Sequence, residues 1–304
     1  MTRIPRRALA AAAATTASLL LAGCTSLPMV DVPSANQNSR IQYLVIHFTT
    51  VPFGTSMELL TERTDRPVST HYLIPEPDDA TYPDRELKIY RLVPEARRAW
   101  HAGRSTWGRK QSLNDSSLGI ELVNLSTCRS LEPDAERQTL DLQRCDLLPF
   151  SDRQIELTID LILDILKRHP EIDPVDVVAH SDIAPTRRFD PGPLFPWKEL
   201  HDRGIGAWYD GAVAERYRRR FADEMPSRDA LRRAFGAYGY TVDAQPRASL
   251  TEDDILAYVV YAFQSHFRQS RVDGRVDAET AGILWALIEK YRPRALADLD
   301  GTPE

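Results

Sequence analysis

The sequence predicts an α/β body followed by a smaller, wholly helical region, and three observations carry that expectation. Between Ile41 and about Trp208, short apolar runs rich in β-branched residues alternate with segments of helical spacing. Beyond Trp208 the chain turns charged and its apolar residues recur only at helical spacing. The body alone is long enough to bury a proper core of its own.

Taken in order, the chain opens on three arginines (Arg3, Arg6, Arg7), an uncharged apolar run from Ala8 to Ala22, and Leu21-Ala-Gly-Cys24. The apolar run is too short to cross a hydrocarbon core of roughly 30 Å, so residues 1–23 read as a secretory signal. The closing four residues look like a bacterial lipobox, which makes Cys24 the expected lipidated N-terminus. Acyl chains contribute about 0.8 kcal/mol per buried methylene, so several on one residue anchor a protein firmly to a membrane. Thr25 and Ser26 follow instead of aspartate, which by the same resemblance favours the outer membrane, with the protein facing the periplasm. Residues 24–40, with Pro28, Pro33, Ser34, Asn36, Gln37 and Asn38 and little apolar periodicity, read as a tether.

Strand Ile41 to His47 starts the body, and Gly54 to Arg63 has helical spacing. Strands are expected at His71–Ile74, Lys88–Val93 and Leu118–Asn124. Ser151 is placed to cap a long helix reaching His169, whose Ile155, Ile159, Ile162, Ile165 and Leu166 share one face. A last strand, Val175 to His180, leads into a loop stiffened by Pro185, Pro191 and Pro193. The order and direction of the strands do not follow from this pattern.

Two of these strands end in histidine, His47 and His180, and the proline-stiffened loop carries Asp190. Singly, each histidine reads as an ordinary strand-end residue. Together, two neutral imidazoles and a carboxylate make a three-ligand set with one tetrahedral position open, the pattern of catalytic zinc. Asp182 competes with Asp190 by proximity to His180, but two carboxylates would overload one zinc with negative charge, which leaves Asp182 a loop-bonding role. Glu121 interrupts an apolar strand, where a carboxylate is either solvent-facing or functional. Beside a metal-activated water it acquires a task, taking the proton of the attacking water and returning it to the departing amine. Arg188 and its neighbour Arg187 are rivals for stabilising the charge that develops on the substrate carbonyl oxygen.

Five ordered blocks between Tyr43 and Trp197 carry a family resemblance: Tyr43 to His47, Ser69 to Ile74, Ala99 to Gly103, Asn114 to Leu122, and His180 to Pro185. In this set the chain resembles the zinc-dependent N-acetylmuramoyl-L-alanine amidases of the type-2 amidase family. The resemblance implies a mixed β-sheet flanked by helices with zinc at one edge, ligands His47, His180 and Asp190, Glu121 as acidic catalyst and Arg188 as the basic residue two positions before the last ligand. That position is often lysine, so Arg188 departs from the commoner form while keeping the charge. The resemblance also implies that His71, Tyr72, Trp100 and His101 contact substrate in a groove. The implied reaction is hydrolysis of the amide between the lactyl group of N-acetylmuramic acid and L-alanine of the peptidoglycan stem, in cell-wall turnover or remodelling. A non-catalytic peptidoglycan-recognition protein and a zinc peptidase cutting within the stem are the alternatives.

The helical region holds Ile255 to Gln264, Phe267, a turn at Asp273-Gly274 and the run Thr280 to Leu287. This resembles the three-helix peptidoglycan-binding module, giving an expected division into catalytic domain 41–208, helical linker 209–226, small C-terminal three-helix domain 227–294 and tail 295–304. Cys128 and Cys145 remain as a candidate disulfide, which in an oxidising compartment contributes up to about 3 kcal/mol. Without residues 1–23, which carry Arg3, Arg6 and Arg7 and no acid, formal net charge goes from −6 to −9. An acidic body argues against nucleic acid as partner. The expected partners are peptidoglycan and muropeptides, with a membrane reached through the lipid anchor.

Overall fold

The computed structural model describes residue 27 and residues 29–130, 140–242 and 250–299. The signal segment and Cys24 lie outside the described residues. Residues 1–38 and 39–304 are separate units, and the described part of the first contains neither helix nor strand. Among the described residues, no helix is long and apolar enough to cross a membrane.

In the second unit the elements run β1 (Tyr43–Phe48), α1 (Phe53–Thr61), β2 (Tyr72–Ile74), β3 (Tyr90–Arg91), β4 (Thr106–Trp107), β5 (Lys110–Gln111) and β6 (Ser117–Leu122). They continue with β7 (Thr127–Ser130), β8 (Leu140–Asp146), α2 (Asp152–Arg168), β9 (Val177–Ala179), α3 (His180–Ile183) and α4 (Trp197–Asp202). Helices α5 (Gly211–Asp223), α6 (Arg228–Tyr238), α7 (Glu252–Phe267), α8 (Ala278–Tyr291) and α9 (Pro293–Leu299) complete the unit. The main sheet has the order β3-β2-β6-β1-β9. Strands β2, β6, β1 and β9 are parallel, and β3 joins β2 antiparallel, so the sheet is mixed, as the family resemblance implied.

Strand β1 is interior, between β6 and β9, and Leu44 to Phe48 are all buried, the continuous apolar signature of a parallel strand covered on both faces. Helix α2 begins at Ser151, whose side chain accepts the Gln154 N–H, and it ends on Lys167 and Arg168, the charge its C-terminal dipole favours. Its Ile155, Ile159, Ile162 and Ile165 are buried, matching the spacing read from the sequence. The expected strand 88–93 shrinks to Tyr90–Arg91, because among the described residues its only sheet partner is β2, itself three residues long.

The expected strand 175–180 is also shortened. Pro174 opens a 3-10 turn over Pro174–Asp176, and His180 begins α3 instead of ending β9. Asp182 turns the chain there, its Oδ2 accepting the Ala179 N–H at 2.8 Å. Cys128 and Cys145 face each other across the β7–β8 ladder, which pattern reading had not anticipated, and are joined as a disulfide.

In the helical region, the two expected helices appear as α7 and α8. Gln264 of α7 organises the turn between them: its Oε1 accepts the N–H groups of Asp273 and Gly274 at 2.9 and 2.8 Å, and its amide donates to the Arg275 carbonyl. Gly274 has φ +69°, a left-handed conformation that suits glycine. Phe263 and Leu284 belong to the same continuous core as Ile46, Ile120 and Ile162, so the helical region packs on the body through shared apolar burial.

Candidate metal centre and active site

The register of the sheet builds the site. His47 of β1 pairs with Glu121 of β6, and Ile46 pairs with Ala179 of β9, so His180 emerges one residue beyond, level with His47. Three adjacent parallel strands therefore deliver two imidazoles and a carboxylate at their C-terminal ends, the side of such a sheet where crevices open. The loop after α3 folds back to add Asp190, with Ser181 N–H donating to the Asp190 carbonyl at 2.9 Å.

His47 Nδ1 and His180 Nδ1 lie 2.9 Å apart, and Asp190 Oδ2 is 3.2 Å from the first and 3.0 Å from the second. All three residues are buried. Zinc bonds of roughly 2.0–2.2 Å in tetrahedral array separate ligand atoms by about 3.3 Å, so this triangle fits one face of such a site. His180 Nε2 faces the Ala102 carbonyl at 3.2 Å; a carbonyl only accepts, so Nε2 carries the proton and Nδ1 points its lone pair into the triangle. The donor set thus suits a cation. Burial brings the His180 imidazole down to about 3, against the pull of Asp190, and keeps the ring neutral as a ligand must be.

Glu121, His180, Arg188, Asp190, Trp100 and His101 line one cavity of about 400 Å³. Glu121 Oε2 is buried without a hydrogen-bond partner, a costly arrangement that a ligand or water in the cavity relieves. Burial pushes the Glu121 carboxyl up to about 7; His47 and Arg188 oppose the rise and Asp190 adds to it. Arg187, the rival of Arg188, spends its guanidinium on backbone, donating to the Arg104 carbonyl at 2.6 Å and reaching the Ala102 carbonyl at 3.5 Å.

The four residues expected in the groove divide. Trp100 is 45% exposed and walls the cavity. His101 reaches the cavity but is bonded to His47, its Nδ1 lying 2.8 Å from His47 Nε2. His71 does not line it: Nδ1 accepts the Gly119 N–H at 3.0 Å and Nε2 donates to the Arg97 carbonyl at 3.1 Å, so both nitrogens serve backbone groups. Tyr72 is buried on the far side of its strand, where its hydroxyl donates to Glu95 Oε1 at 2.5 Å. Two consecutive strand residues point to opposite faces, so they cannot both have entered one groove.

Sequence reasoning gave no role to His266, Tyr240, Asn114 or Ser117. Asp182 takes its loop-bonding place: Oδ2 accepts from His266 Nδ1 at 2.7 Å and Oδ1 from the Tyr240 hydroxyl at 2.7 Å. His266 stacks on Trp197 with ring centroids 3.8 Å apart. Two residues of the helical region therefore brace the turn that carries His180. Asn114 and Ser117 belong to a block singled out for resemblance, which was the available signal, but only the folded chain shows what they touch.

Fold and site define a class: mixed α/β proteins whose parallel strands bring together a buried His-His-Asp triad and, beside it, a glutamate with one unpaired oxygen at a cavity wall. Within that class the chain belongs to the N-acetylmuramoyl-L-alanine amidase family Amidase_2, whose model matches residues 37–193. It is 40% identical over 291 residues to N-acetylmuramoyl-L-alanine amidase AmiD of Escherichia coli K12, spanning 90% of this chain and 96% of that protein. The fold is similar to that of AmpDh3 from Pseudomonas aeruginosa in complex with anhydromuramic pentapeptide, with TM-score 0.76 and 40% identity over 87% of this chain and 99% of that one. It is also similar to Escherichia coli AmiD in complex with the substrate anhydro-N-acetylmuramic acid-L-Ala-D-gamma-Glu-L-Lys, with TM-score 0.69 and 38% identity over 86% of this chain and 93% of that one.

Proposed function

We propose that the protein is a zinc-dependent amidase that hydrolyses the bond between the lactyl group of N-acetylmuramic acid and L-alanine of the peptidoglycan stem. The observation that carries this reading is the convergence of His47, His180 and Asp190 in one buried cluster, with His180 and Asp190 lining the same cavity as Glu121. The muropeptide complexes of AmpDh3 and AmiD support the substrate class. His47, His180 and Asp190 would hold the zinc, which would supply Lewis acidity to the reaction. Glu121, through its unpaired Oε2, takes a proton from the attacking water and passes it to the departing amine nitrogen, a task suited to a carboxyl held near neutrality. Arg188 provides fixed positive charge at the cavity wall for the carbonyl oxygen as it becomes negative. Trp100 offers an exposed aromatic face against which substrate packs.

On the same reading Cys24 is lipidated and holds the enzyme at the outer membrane facing the periplasm, a placement supported by Leu21 to Cys24. The helical residues 227–294 form a peptidoglycan-facing lobe beside the catalytic body 41–208, supported by the Gln264-braced Asp273-Gly274 turn.

Mass spectrometry of muropeptides incubated with the purified protein, with and without a zinc chelator, tests the central reading. Chelator-sensitive release of free stem peptides beginning at alanine is expected. Muropeptides left intact despite bound zinc would identify a recognition protein, and cuts within the stem would identify a peptidase.

A further inference from the structure

An imidazole can ligate through either nitrogen, and the hydrogen bond made by the other nitrogen decides which lone pair is free. A chain of such bonds ends at His47. The Leu113 carbonyl can only accept, so Ser117 Oγ, 2.7 Å away, gives its proton there. The same hydroxyl oxygen lies 3.1 Å from His101 Nε2, which must then be the donor. With its proton on Nε2, His101 has a bare Nδ1, and this accepts the Nε2–H of His47 at 2.8 Å. His47 Nδ1 is left without a proton and faces the triangle.

His180 reaches the same state through the next residue, donating its Nε2–H to the Ala102 carbonyl. Adjacent residues thus set both rings. Their backbone is fixed in turn by Asn114, whose Oδ1 accepts from the N–H groups of His101 at 3.1 Å and Ala102 at 2.8 Å. Strand β6 is cut away to seat the His101 ring: a Cβ on Gly119 would lie 2.5 Å from His101 Cγ. His71 stands edge-on to that ring, with centroids 5.7 Å apart, and closes its other side.

We infer that Ser117, His101 and the Ala102 carbonyl form a positioning relay that fixes both His47 and His180 as Nδ1 donors. His101 is thereby a positioning residue and not a contact for substrate. The inference rests on the metal reading above. Its physical content is that two bare nitrogens and a carboxylate oxygen are held about 3 Å apart with no proton between them, an arrangement completed by a cation.

The test has one arm without metal. In the full protein labelled with 15N-histidine and stripped of zinc, long-range proton–nitrogen correlation spectra should show the Nε2–H tautomer for His47, His101 and His180. An Nδ1–H tautomer at any of the three would overturn the relay. In the second arm, zinc affinity is measured by chelator competition on variants shown by circular dichroism to be folded. His101→Leu and Ser117→Ala should weaken binding by about 10- to 100-fold, whereas His101→Asn, whose Oδ1 stands near the position of Nδ1, should recover most of the loss. Unchanged affinity in folded His101→Leu would also overturn the relay. A wild-type protein that binds no zinc would instead sink the metal reading, while the tautomers still report on the relay.

Discussion

At the scale of single residues, the site separates groups by the hydrogen bonds they have and lack. His47, His101 and His180 have partners for every nitrogen that does not face the triangle, whereas Glu121 keeps one oxygen unpaired in the cavity. An unpaired buried oxygen is a liability for folding and an asset for proton transfer. Glu121→Gln should therefore leave zinc content equal to wild type while lowering turnover by about 100- to 10,000-fold. Metal analysis alongside steady-state rates checks it, and a variant of near-normal rate would remove Glu121 from the mechanism. The three residues of the buried cluster, His47, His180 and Asp190, are legible in the sequence because strand-end histidines and a proline-stiffened aspartate are local signals. The work of Ser117 and Ala102 was not. A serine and a main-chain carbonyl carry no chemistry of their own, and their effect on His47 and His180 exists only once strands far apart in sequence are paired.

At the scale of elements, the sheet and helix α2 are tied together by Glu95. Its carboxylate accepts from Tyr72 of β2, from Arg168 at the end of α2 and from His169 just beyond. Burial pushes its carboxyl upward, but the bonds from Arg168, Tyr72 and His169 prevail and bring it down to about 2 from 4.5. A carboxyl depressed in the folded state contributes stability above its unfolded value and loses it as pH falls through the folded one. Urea midpoints should therefore decline between pH 4.5 and about 2, and Glu95→Gln should flatten that decline while lowering the midpoint at pH 7. Strand β6 offers a second check. Gly119→Ala forces a Cβ into the His101 ring and should cost about 1–3 kcal/mol of stability by chemical denaturation. Helix α2 was readable because its apolar period and Ser151 cap agree. Strands β2, β3 and β9 came out shorter than expected, since a strand ends where its neighbour does and neighbours are not written in local pattern.

At the scale of the whole molecule, the helical region is bound to the catalytic body by more than a linker. Its Phe263 and Leu284 share the body's core, and its His266 and Tyr240 satisfy both oxygens of the fully buried Asp182, two residues from His180. Removing residues from 227 onward would take away the His266 and Tyr240 donors to Asp182 and leave the turn that carries His180 without its brace. Calorimetry of the intact protein should show one unfolding transition, and the truncated chain should lose zinc affinity along with stability. A truncated body that still cleaves a small soluble muropeptide at the full rate would establish the helical region as an independent module. The strand order carries one further consequence, for the time course of folding. Strand β1 lies inside the sheet, between partners that begin at Ser117 and Val177. Closing such long loops before any pairing is rewarded makes this a slow topology. A nascent chain emerging in order from Tyr43 can pair β1 with β6 once Ser117 to Leu122 have appeared, but the other edge of β1 stays open until β9 arrives at Val177.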